Sequence, residues 1–290
     1  MELARVMATV QLPGTVVFSL VAGEEQGLYG SGFEAQQFAA AGNDIQGMLN
    51  LDTIGSSTAQ DGSSDPYQIR LSTEGVPTAT TELQVEQTIV FGNENDSSSR
   101  ELGRFVKSVA GNSATQMSIW LINRRDRYHY GGDQISFQEQ GYPAARFTEP
   151  NENFNHERVD VQMVNGVQFG DLESFLDFGF LARVARVNLA NIYSLAQGPA
   201  TPKNVVLSLG EPSNENSTSL TWNQGTDSGL AGYEVVWRET DDPDWTHVVP
   251  VGNVTSVSFP FFAKDNFLIG VRAVDTNGLH SPVAYPTFGP

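Results

Sequence analysis

The chain has 290 residues, enough for one or two domains with a sizeable core, and no cysteine, which excludes a disulfide framework and a thiolate metal site. Thirty-four acidic residues face 16 basic ones, and the net charge of −18 opposes binding to nucleic acid or an anionic membrane surface. No apolar run approaches the ~20 residues of a membrane span.

In chain order, residues 2–8 read as a helix. Residues 15–21 form an apolar, β-branched run bounded by Gly23, the pattern of a central parallel strand. A helix follows over 32–41 and a second buried-type strand over 46–52. From Ser56 to Thr88 the chain is rich in Ser, Thr, Gly and Asp and reads as loop, with one edge strand at 67–72. Asp96 and the serines after it, with Glu101 in the first turn, mark a helix start. Residues 117–122 predict another buried strand, a short helix ends at Gly141, and 144–147 is a strand again. Residues 172–197 repeat apolar side chains at three and four steps, the face of a core-packing helix. The alternation predicts an α/β body over residues 1–197. Residues 198–203 read as a linker. Beyond it the period is two, and strands at 217–222, 232–238, 246–249, 257–259, 267–274 and 281–284 predict an all-β, immunoglobulin-like sandwich over 204–290.

The chemistry gathers at strand ends. The first predicted strand finishes on Glu24 and Glu25, the second on Asp52, and strand 144–147 leads into an Asn-rich loop with His156 and Asp160. Ligands of open α/β sheets bind at the carboxyl ends of strands. Two adjacent carboxylates there repel and lose water unless a cation or a transferable proton compensates. One acid binding a metal while its neighbour handles a proton meets both needs. The alternatives are bland: a solvated turn with two acids, and a surface histidine. Carboxylate oxygens with an imidazole suit Zn²⁺, Mn²⁺ or Co²⁺ better than Mg²⁺ or Ca²⁺. His247 and His280 fall within the sandwich, and His129 in an exposed loop.

The run from Val21 through Glu24 and Glu25 to Ser31, the stretch Asn50-Leu-Asp52-Thr-Ile-Gly55, and His156 with Asp160 together resemble the co-catalytic dizinc aminopeptidases and carboxypeptidases, over residues 1–197. The resemblance implies a three-layer mixed sheet flanked by helices, incomplete at its N-terminus. It implies two zinc ions, with Glu25 and His156 as ligands of one and Asp52 of the other, and Glu24 as the general base that activates water. Two further family ligands, a His in a His-x-Asp motif and a bridging Asp in a Gly-rich turn, would precede the helix at 2–8. The sequence is therefore expected to be an N-terminally incomplete piece that binds zinc weakly and turns over slowly. Gln134 stands where the family often shows His after Ser-Asp, and Thr53 where many members have Met. Trp222, Tyr233 and residues 271–278 resemble a fibronectin type III module, with Phe267 at the position of its corner Tyr.

Two function classes follow. In the first, the chain is a zinc-dependent exopeptidase, expected to be an aminopeptidase, with peptides or proteins as substrates. In the second, it is an inactive fragment or a binding-only member of the same fold. Retention of Glu24, Glu25, Asp52 and His156 favours the enzyme, because a binding-only fold has no chemical need for that set. The expected setting is outside the cytoplasm: secreted, periplasmic or on a bacterial cell surface.

Overall fold

The computed structural model describes residues 1–77, 80–128, 131–208 and 217–288; His129 lies outside them. Helices α1 (Glu2–Met7) and α2 (Tyr29–Ala40) precede strands β1 (Met48–Leu51) and β2 (Gln68–Thr73). Helices α3 (Glu82–Phe91) and α4 (Ser98–Ala110), strand β3 (Ser118–Ile122), helix α5 (Gln134–Gln138) and strand β4 (Ala144–Thr148) follow. A hairpin of β5 (Gln162–Val164) and β6 (Val167–Phe169) then leads to α6 (Phe178–Gln197).

Four strands make one mixed sheet in the order β1-β4-β2-β3. β4 is interior and all five of its residues are buried. Side chains alternate between the faces of a strand, and β4 shows the consequence. Ala145 and Phe147 enter the cluster built from Leu102 and Val106 of α4 and Phe180, Val184 and Val187 of α6. Ala144 joins Ala35 of α2 and Phe137 of α5 in a second cluster. Helices thus cover both faces, giving three layers. β1 runs parallel to β4, with Leu51 beside Phe147. The loops leaving the two strands, which carry Asp52 and His156, therefore start from the same edge of the sheet.

Three expectations are corrected here. Residues 15–21 form no strand: the segment has no ladder partner among the described residues, and Leu20 is 82% exposed. A β-branched apolar run records a preference for a packed, pleated surface, whereas a strand also needs a neighbour for its backbone groups. β1 is the sheet's edge among the described residues. β2 is not an edge strand but lies between β4 and β3, with Ile69 and Leu71 fully buried. The polar loops around it concealed a short buried alternation. The last long helix begins at Phe178 rather than 172, because Asp177 caps it by accepting from the Phe180 N–H at 2.9 Å.

The C-terminal part folds as two facing antiparallel-rich sheets. One contains β7 (Val206–Ser208), β8 (Thr218–Thr221), β11 (Ser256–Phe259) and β13 (Thr287–Phe288); the other contains β9 (Leu230–Glu239), β10 (His247–Gly252) and β12 (Phe267–Asp275). Trp222, Tyr233, Val235, Ile269 and Val271 fill the space between them. Residues 281–284 make only an isolated bridge, Val271 to Ala284, instead of the expected strand. Phe267 stacks on Phe262 with ring centroids 5.0 Å apart, so the position keeps its packing without a hydroxyl.

The sandwich docks on α4 through buried charge. Asp96 Oδ1 accepts from Arg104 at 3.0 Å and from Arg238 of β9 at 2.6 Å. Trp245 donates its indole N–H to Glu101 at 2.8 Å, and Arg104 donates to the Pro243 carbonyl at 2.7 Å. The expected linker is also tied down: the Thr201 N–H donates to Gln46 at 2.8 Å. Among the described residues no helix is long and apolar enough to cross a membrane.

Candidate metal centre

Asp52 follows directly on β1, and its backbone N–H still reaches the Phe147 carbonyl at 3.4 Å. Its Oδ2 accepts from Arg146 at 2.5 Å, while Oδ1 accepts from the Thr53 hydroxyl at 3.2 Å. Arg146 comes from the middle of β4 on the α5 side and is fully buried. Its other terminal nitrogen donates to Asp126 Oδ2 at 2.7 Å and to the Gly131 carbonyl at 2.9 Å. Gln134, at the start of α5, donates to the same Asp126 oxygen at 2.8 Å and accepts from Asn50 at 3.0 Å. A Cβ on Gly132 would come within 2.8 Å of both Asn50 and Gln134, so the cluster closes only against a glycine. Where the family's His was expected, Gln134 supplies both a donor and an acceptor to one buried network.

Glu24 and Glu25 sit in the turn that opens α2. The Leu28 and Gly27 N–H groups donate to the Glu24 carbonyl, and the Tyr29 N–H to that of Gly23, which takes φ +79°. Burial pushes the Glu24 carboxyl above its ordinary range, and the charges of Asp52, Glu25 and Asp133 add to it against an opposing pull from Arg146. Carboxylates from three separate parts of the chain therefore share one rim. Glu25 is more exposed, its side chain at 59%, and pairs with Arg158 Nε at 3.1 Å.

His156 stands apart from this set. Its ring stacks on Phe175 at 3.5 Å with an interplanar angle of 4°, and its Nε2 lies 3.5 Å from the Asn153 amide. Burial lowers its pKa, with no carboxylate among the causes. Asp160 is exposed.

The same loop carries Glu149, a residue the sequence reading passed over. It accepts from the Ser56 N–H at 2.6 Å and so ties down the loop after Asp52. Burial pushes the Glu149 carboxyl up to about 8, with Glu157 and Glu152 adding to the shift while the Ser56 and Gly55 N–H groups oppose it. A raised carboxyl contributes stability that is full below its ordinary pKa, 4.5, and is lost as pH climbs towards about 8. Melting temperatures measured across that window should therefore fall more steeply for the parent than for Glu149→Gln. Parallel curves would show that Glu149 ionises normally.

Zinc can be tested against these donors. Their kinds suit it, since Glu25 and Asp52 offer carboxylate oxygens and His156 an imidazole nitrogen whose pKa burial lowers. The charge suits it too: Glu24, Glu25, Asp52 and Asp133 lie near one another, Arg146 and Arg158 pair with two of them, and Asp133 Oδ1 is buried without a hydrogen-bond partner. The ligand set is not closed, however. Among the described residues no three His, Asp or Glu side chains stand together closely enough to hold an ion. The residues fit as part of a zinc site, with the acids gathered and His156 outside them.

The sequence profile of peptidase family M28 matches residues 1–165, more than half of the chain. The chain belongs to peptidase family M28. A probable zinc metalloprotease of Pyrenophora teres f. teres (strain 0-1) is 47% identical over 288 residues, covering 99% of this chain and 59% of its own length. One from Leptosphaeria maculans is 43% identical, covering 99% of this chain and 66% of its own length. The chain thus spans about three fifths of the length of the curated relatives it matches. Among solved structures, the aminopeptidase from Aneurinibacillus sp. strain AM-1 is similar at 21% identity, covering 68% of this chain and 37% of that one, with a TM-score of 0.42. A Fn3-like protein from Clostridium thermocellum is 24% identical over 32% of this chain and 95% of its own, with a TM-score of 0.26. Both of the curated relatives named are described as probable zinc metalloproteases.

Proposed function

We propose that this M28 chain is the catalytic part of an exopeptidase that removes N-terminal residues from peptides. The observation that carries the reading is the gathering of Glu24, Glu25, Asp52 and Asp133 on one rim beside the β1 edge of the sheet. These carboxylates supply the anionic donors a zinc exopeptidase needs, and the choice between aminopeptidase and carboxypeptidase falls to the peptide comparison below. Glu25, Asp52 and His156 are the residues proposed to hold zinc, and two ions belong to the same proposal. Zinc, when bound, polarises the scissile carbonyl and acidifies water. Glu24, held partly out of water among like charges, accepts the proton of the attacking water and returns it to the leaving amine. Action outside the cytoplasm is part of the proposal.

The decisive comparison uses one peptide in three forms: free, N-acetylated and C-amidated. An aminopeptidase cleaves the free and amidated forms, loses the acetylated one, and stops when zinc is chelated. Cleavage that needs the free C-terminus instead would make it a carboxypeptidase. One observation favours the binding-only alternative: Arg146 and Arg158 already pair with Asp52 and Glu25. Failure to take up zinc and to cleave any of the three forms would establish that alternative.

A further inference from the structure

Arg146 is an anomaly of composition. A guanidinium sits at zero exposure in the middle of an otherwise apolar interior strand, Ala144-Ala-Arg-Phe-Thr148. A buried charge is tolerated only when its partners are fixed. Asp126, also buried, takes one end through a 2.7 Å contact, and Gly131 adds a carbonyl at 2.9 Å. Gln134 holds Asp126 in turn, and Asn50 holds Gln134. Asp126 is thus the anchor, and the remaining arm of the guanidinium is free to reach outward. It ends on Asp52 Oδ2 at 2.5 Å.

We propose that Arg146 is a positioning residue for the M28 site: braced by Asp126, it fixes the Asp52 carboxylate with Oδ2 turned inward and Oδ1, which the Thr53 hydroxyl approaches at 3.2 Å, turned towards the rim where a cation would bind. This rests on the reading of Asp52 as a zinc ligand. The exposure supports it: Arg146 divides its charge between Asp126, which Arg127 also approaches at 3.9 Å, and Asp52, whose side chain stays 31% exposed. The Arg146 contact therefore orients Asp52 and leaves it open to the rim. The planar fork matters, because its two terminal nitrogens hold two carboxylates at a fixed angle, which the single ammonium of lysine cannot do. Gln134 and Gly132 belong to the same device, one bracing Asp126 and the other leaving room for it.

The test compares a protein of the length of the curated relatives that contains this chain with its Arg146→Met, Arg146→Lys and Asp52→Asn variants. Zinc affinity is read by competition with a chromophoric chelator, the visible spectrum of added Co²⁺ is recorded, and near-ultraviolet circular dichroism checks folding. Loss of a partner that orients a ligand weakens metal binding by about 10- to 100-fold. Arg146→Met should fall in that range and alter the cobalt spectrum, and Arg146→Lys should lie between it and the parent. If Arg146→Met does not fold, Arg146→Lys decides alone, and its expected outcome is a several-fold loss. A folded Arg146 variant that binds zinc and cobalt as the parent does would overturn the proposal, reducing Arg146 to a structural ion pair. A parent that binds no zinc, or an Asp52→Asn variant indistinguishable from the parent, would overturn the zinc reading of Asp52 and this proposal with it. That failure is recognisable because it does not depend on Arg146.

Discussion

Glu24→Gln is expected to lower peptide turnover by about 100- to 10,000-fold and leave zinc content nearly unchanged, whereas Glu25→Gln is expected to lower zinc occupancy. Both variants belong in a protein of the length of the curated relatives that contains this chain. The amide of Gln keeps the shape of Glu but cannot accept a proton, and burial with three neighbouring carboxylates raises the Glu24 carboxyl above its ordinary range. Glu25 must instead give an anionic oxygen to the ion. Its present partner is no obstacle: the Arg158 pair is solvent-facing, with side chains 35% and 59% exposed, and such pairs contribute only about 0–1 kcal/mol. Arg158 can leave at little cost; Arg146, walled into β4, cannot. Metal analysis beside kinetics separates the two roles. Loss of zinc in Glu24→Gln with retention in Glu25→Gln would reverse the assignment, and unchanged rates in both would end the peptidase reading.

The sequence disclosed strands with a largely apolar run and hid those whose identity depends on a neighbour. β3 and β4 lie where their apolar runs predicted, to within a residue. Residues 15–21 carry the same kind of run but find no ladder partner among the described residues, and nothing local distinguishes the two cases. Two missed elements had readable signals. Thr81 and Gln84 form a capping box at the start of α3, and Asn165-Gly166, both at positive φ, turns the β5–β6 hairpin. At the site, Asp52 follows a strand as read, whereas Glu24 and Glu25 follow a segment that forms no strand, so only their motif singled them out. Arg146 was legible in principle, since a charge inside an apolar strand needs a buried partner. Which partner it finds depends on how Asp126, far away in sequence, folds back. His156 shows the converse: its loop leaves β4 from the edge where Asp52 also emerges, yet its ring goes to Phe175, a contact set by side-chain packing and invisible to periodicity.

The second large effect is expected far from that rim, at Asp96. Its side chain is fully buried and one oxygen serves two guanidinium groups, Arg104 from α4 and Arg238 from the sandwich. Trp245 lies against both, 6.0 Å and 5.2 Å from the guanidinium carbons to its ring centroid. Removing one partner from such a set leaves a charge stranded in a dry interior, a loss of about 3–5 kcal/mol. Asp96→Ala should cost that much in chemical denaturation, and Arg238→Met should cost less because Asp96 keeps Arg104 as its partner. Lys107→Met, which breaks the half-exposed 2.5 Å pair with Asp244 at the same interface, should change stability by no more than about 1 kcal/mol. The network also couples the two parts. The parent should unfold in a single transition, and Asp96→Ala in two, the sandwich separating from the α/β body. A parent that already unfolds in two steps, or an Asp96→Ala variant within 1 kcal/mol of it by the same estimate, would mean that water reaches Asp96 and that the sandwich is only tethered.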